Sequence, residues 1–175
     1  MYFVKKLYLR KIKHTLFNMK RLLILAIFIL GIHINAEAQS IRLEERTPDI
    51  DVVSEYGHSL EQIASNYVCL IFIHSESAPC RNALASLNTI SEIHNELLHT
   101  VLITCEDREN EAEIRNRISF DNYSLAFDTN RHTFRAFNVE HIPYGVIYDT
   151  DRNRTKWFGP IQQLNAQIIT QILTQ

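Results

Sequence analysis

Cysteine is scarce in this chain: three among 175 residues, at positions 69, 80 and 105. They form no Cys-x-x-Cys pair, and no short metal-ligand spacing joins them to histidines, so a zinc-type cluster is not written into the sequence. The first 68 residues hold no cysteine, which excludes a lipid-modified N-terminal cysteine. Glycine and proline number four each, and there are no repeats and no low-complexity segments. One long apolar run exists, Leu22 to Ile32, and it is short of the roughly 20 residues that a membrane span needs.

What precedes and follows that run gives it a meaning. Lys5, Lys6, Arg10, Lys11, Lys13, Lys20 and Arg21 make the leading segment basic, and Ala36-Glu37-Ala38 supplies a small-x-small cleavage pattern. Residues 1–38 therefore read as a signal peptide cleaved before Gln39, with Met19 as an alternative start, and the exported chain is expected in the periplasm or outside the cell. A retained anchor is the alternative. Without that segment, 11 basic residues face 19 acidic ones, a net charge of −8. Such a balance offers no basic surface for nucleic acid, and no membrane span is expected after cleavage.

The exported part reads as 39–50, a polar lead-in, and 51–175, one domain. Asp51–Ser54 is an expected edge strand, and Ser59 an expected cap for a helix over Leu60–Asn66. Val68 to Ile73 is a run rich in branched and aromatic residues, as in a strand buried on both faces. After a polar turn, Leu84, Leu87, Ile90, Ile93 and Leu97 recur every three or four residues, predicting a helix from Cys80 to Leu98. Thr100–Cys105 predicts a second buried strand, Glu106 to about Ser119 a helix with a solvated acidic start, and Ser124–Phe127 a strand. A helix over Arg131–Phe137, a hairpin of Tyr144–Tyr148 with Arg154–Phe158, and a helix over Ile161–Leu173 complete the reading. Strands alternating with helices imply an α/β sandwich with a mixed sheet.

The stretch Val68 to Arg81, VCLIFIHSESAPCR, organises the rest. Pro79 suits a helix start because its missing N–H would be unsatisfied there. Cys80 in the first helical turn faces the positive end of the macrodipole, a setting that favours thiolate. With Thr47-Pro48-Asp49, Gly57-His58-Ser59-Leu60, Phe127-Asp128, Val139-Glu140-His141-Ile142-Pro143 and Asp149…Gly159, this order resembles the thioredoxin fold, specifically the exported TlpA / AhpC-TSA group. The resemblance implies a thiol–disulfide redox family and a β/α insertion between Glu106 and Asp128. It also implies a cis bond at Ile142-Pro143, where the backbone would pair with an extended substrate peptide. Partners would be a protein or peptide substrate and a membrane or periplasmic thiol reductant; no cofactor is implied.

The chain departs from that family where the chemistry sits. The motif is Ser77-Ala78-Pro79-Cys80, with serine where the attacking cysteine belongs. A hydroxyl cannot open a substrate disulfide, and Cys80 matches the resolving cysteine. Glu76 replaces the family's tryptophan, and Ala83 and Ala85 stand where glutamate and proline are expected. The candidate site is Cys80 and Ser77, with Glu76, Ala78, Pro79, Ile142 and Pro143 against the substrate. Cys105, at the same sheet edge, leaves a Cys80–Cys105 disulfide open. His141 would act as a base toward Cys80, while His74 and His141 as metal ligands are outweighed by surface or capping roles. Cys69 reads as a core residue. Three functions stay open: a weak or altered single-thiol oxidoreductase, peroxide reduction through Cys80, and a non-catalytic peptide-binding module.

Overall fold

The computed structural model describes residues 41–94 and 96–174, with the backbone alone at 54, 55 and 89–94. The expectations for residues 1–38 lie outside the described residues. Six strands form one mixed sheet: β1 (Val53–Tyr56), β2 (Tyr67–Ile73), β3 (Leu98–Thr104), β4 (Tyr123–Phe127), β5 (Tyr144–Asp149) and β6 (Arg154–Pro160). Their spatial order is β1-β4-β3-β2-β5-β6. The parallel core β4-β3-β2 is flanked by antiparallel β1 on one side and the β5–β6 hairpin on the other.

The central strand shows why the sequence folds this way. Cys69, Ile71 and Ile73 point into one apolar cluster, and Val68, Leu70 and Phe72 into another on the opposite face. A strand buried on both faces needs helices on both, and α1 (Ala78–His94) is the crossover that returns the chain to parallel β3. α1, α2 (Glu111–Arg117) and α4 (Ala166–Leu173) cover the first face through Leu84, Leu87, Ile114, Ile169 and Ile172. The second face is closed by α3 (His132–Ala136), with Phe134 and Phe137 against Phe72.

Several boundaries differ from the sequence reading, each for a local reason. The helix expected over Leu60–Asn66 is one 3₁₀ turn, Leu60–Gln62, after which Ile63 is extended. α1 ends at His94, so Leu97 lies in the turn beyond it, 45% exposed. The helix expected from Glu106 begins only at Glu111: the Glu106 side chain turns inward, and Asp107 caps a separate 3₁₀ turn over Arg108–Asn110. The closing helix is split at Asn165, whose extended backbone and side-chain oxygen, accepting from Ile168 N–H, start α4 afresh. The lead-in is bonded to the domain: Glu44 N–H donates to Thr155 O, Thr155 N–H to Glu45 O and Thr47 N–H to Asn153 O, along the outer edge of β6. Among the described residues no helix is long and apolar enough to cross a membrane.

Candidate functional site

The carboxyl ends of β2, β3 and β4 share one edge of the sheet, together with the start of β5 and the end of β6. Ligands gather at this edge in open α/β sheets. The turn from β2 into α1 occupies its middle. Ser77 N–H donates to His74 O (3.0 Å), and Arg81 N–H donates to Ser77 O (3.1 Å), the first helical bond. Cys80 N–H donates to Ser77 Oγ at 3.4 Å, so the serine in the motif's first position caps the helix. Glu76, Ala78 and Pro79 are exposed and Ser77 half-buried, whereas Cys80 is 1% exposed and belongs to the α1-side core. The serine hydroxyl is spent on the cap, and the thiol is kept inside.

A largely enclosed carboxylate fixes the turn from behind. Glu106, its side chain 10% exposed, accepts from Ser75 N–H (2.7 Å), Ser75 Oγ (2.6 Å) and Thr104 Oγ1 (2.8 Å). Burial would raise its pKa, but these hydrogen bonds and the nearby His74 charge outweigh it and hold the carboxyl below the usual glutamate range. Arg81 donates to Ser75 O (2.9 Å), and Arg117 bridges to Glu76 (3.3 Å) and Glu113. The acidic run read as a solvated helix start is therefore corrected at its first residue. The available signal was position: Glu106 directly follows the strand residues that end at the chemical edge.

Beside the turn lies Ile142-Pro143. Phe72, next to last in β2, pairs with Tyr144, the residue after Pro143. The Ile142–Pro143 bond is cis. Ile142 packs against both apolar clusters. His141, Ile142, Pro143, Tyr144 and Pro160 line an open groove of about 350 Å³, shared with Asn138, Glu140 and Gln162.

The remaining candidates separate. All three cysteines are free. Cys105 lies past the end of β3 and packs against the cluster on the far face from Cys80, so the alternative of a Cys80–Cys105 bridge gives way to two thiols divided by the sheet. Burial pushes the Cys105 thiol up to about 11, against the opposing charge of Arg131, and pushes buried Cys69 to about 12. His141 is exposed on the groove, whose lining does not include Cys80. His74 turns to Glu106 (Nδ1 to Oε1, 3.7 Å) and accepts from Glu76 N–H (3.3 Å).

A larger hollow of about 610 Å³, missed in the sequence, lies at the opposite end of the sheet among Tyr56, His58, His99 and Ser124. There Ser124 Oγ accepts from His58 N–H (2.9 Å) and bonds His99 Nε2 (2.8 Å). Burial, then the charge of His58, lower the His99 pKa.

No model of a known protein family matches the sequence, and neither does any curated protein. Solved structures do match. A Chlorobium tepidum protein assigned as the thiol:disulfide interchange protein DsbE superposes with TM-score 0.63 at 16% identity, over 76% of this chain and 99% of that one. A thioredoxin-like protein solved in its oxidised form gives 0.60 at 14%, over 77% and 98%. An uncharacterised thioredoxin-like protein from Porphyromonas gingivalis gives 0.55 at 14%, over 75% and 92%. The fold is thioredoxin-like. In this thioredoxin-like frame Ser77 ends the turn after β2, Ala78-Pro79-Cys80 open the crossover helix, and Ile142-Pro143 directly precede the neighbouring strand β5.

Proposed function

We propose that this chain is an exported TlpA-type member of the thiol–disulfide redox family that holds a protein or peptide segment at the end of its sheet. In this reading Cys80 gives at most a weak single-thiol activity. The observation that carries it lies in the motif: its first position is a half-buried serine, and the only motif sulfur is 1% exposed in the core. In dithiol exchange an outer thiolate attacks one sulfur of the substrate disulfide and releases the other as thiolate. The inner cysteine then breaks the mixed disulfide, leaving the substrate reduced and the enzyme oxidised. Ser77 cannot take the first step, while the groove beside Ile142 keeps its apolar walls.

The test restores the missing sulfur. Wild type and Ser77→Cys are compared in insulin reduction with dithiothreitol as reductant. The wild type is expected at the uncatalysed rate, and Ser77→Cys at least tenfold above it. A wild-type rate well above background that disappears in Cys80→Ala would overturn the reading and restore a working single-thiol enzyme.

A further inference from the structure

Most cationic side chains on this surface are matched. Arg42, Arg46, Arg115, Arg117, Arg152 and Lys156 each lie within ion-pair distance of a carboxylate. Arg131 and Arg135 are exposed and make no ion pair among the described residues. Arg135 N–H donates to Arg131 O at 3.1 Å, so the two are one helical turn apart on neighbouring positions of the surface. Arg131 also holds φ 56, in the left-handed region that glycine or asparagine adopts more easily.

These arginines border a hollow of about 380 Å³ whose lining includes Asn138 and Glu140. The same two residues line the groove beside Ile142 and Pro143. The apolar groove and the cationic shelf therefore adjoin. Two of the nearby carboxylates are already engaged. Asp128, 2% exposed, accepts from His132 N–H and Phe134 N–H (both 2.8 Å). Asp51 faces His132 at 3.7 Å. Glu140 stands at the junction and would turn a second carboxylate away from itself, toward the arginines.

We infer that the segment held in the groove belongs to an acidic partner protein, with aspartate or glutamate carboxylates on Arg131 and Arg135 and apolar side chains beside Ile142. Guanidinium forks recognise carboxylates bidentately, which sets register as well as attraction. A nucleic acid is the poorer occupant, because two arginines one helical turn apart form no extended basic track for a phosphate backbone. The inference rests on the groove reading proposed above.

The experiment is a selection of random 12-residue peptides on the immobilised full chain, beside Arg131→Gln/Arg135→Gln and Ile142→Glu variants, in 50 mM and 300 mM salt. Wild type is expected to enrich peptides with two or more carboxylates flanking an apolar stretch. Synthesised examples, read by fluorescence anisotropy, should bind at least tenfold more tightly than their Asn/Gln analogues. That advantage should fall below twofold in the double arginine variant and in high salt, with the neutral analogues unaffected. Enriched peptides lacking acidic residues would overturn the inference and leave the groove reading standing. No enrichment over Ile142→Glu would overturn both. Equal arginine-dependent binding of a dT12 oligonucleotide would overturn the choice of a protein partner.

Discussion

A helix start needs a side-chain oxygen, and Ser77 supplies it where a redox cysteine would not. Substituting Ser77 by alanine is expected to cost about 1 kcal/mol, measured as a lowered urea midpoint. Glu106 carries more: Glu106→Ala leaves Ser75 and Thr104 donors buried without an acceptor, an expected loss of about 2–3 kcal/mol. The pH sign follows from its lowered pKa. The native carboxylate stays ionised below the ordinary glutamate value, so its stabilisation is present above that value and is lost as pH falls through the native one. Glu106→Gln should flatten the acid limb of a stability-against-pH curve. Cys105 behaves in the opposite sense. With its native pKa near 11, against an ordinary thiol value of 9.0, it favours folding below pH 9 and loses that contribution between 9 and 11. Iodoacetamide should barely label Cys105 at pH 7, its rate rising about tenfold per unit toward pH 10, as followed by mass spectrometry.

At the scale of elements, one glycine marks a contact that a methyl group would spoil. A Cβ on Gly145 would stand 2.4 Å from Ile161 Cδ1 and 3.0 Å from the Trp157 ring. Gly145→Ala should therefore destabilise by about 1–3 kcal/mol in a thermal melt. The elements most legible in the sequence were those whose pattern reports burial directly. Val68–Ile73 is apolar at every position because both its faces are covered, and the cis bond at Ile142-Pro143 was legible through the family resemblance. Periodicity failed where an apolar spacing crosses a break. Ile161, Leu164 and Ile168 keep helical spacing, yet Asn165 ends one turn and caps the next. Likewise Leu97 continues the α1 stripe on paper but falls after the helix has ended. Cys80 was legible in place from the sequence, while its burial was implied only by the resemblance, which matches it to the inner and usually more buried cysteine. Spacing locates a residue on a helix, whereas the packing of Leu84, Leu87 and their neighbours decides how far its sulfur sits from water. The Glu106 network joins residues 31 apart, a separation that no local pattern encodes.

For the molecule as a whole, the lead-in is part of the sheet's defence. Glu44–Thr47 pairs with β6, and Lys156, its side chain 7% exposed, meets both Glu44 carboxylate oxygens at 3.0 Å. A chain shortened to begin after Thr47 would leave the outer edge of β6 unpaired. It is expected to melt several degrees lower and to self-associate in sedimentation runs, while Glu44→Ala alone should remain monomeric. The enclosed position of Cys80 has a different bearing on the life of the protein. A thiol walled in by leucines meets neither peroxide nor stray disulfides at a useful rate. Met by oxidants, the Cys80 sulfur is expected to escape the sulfenylation and mispairing that overtake an exposed thiolate.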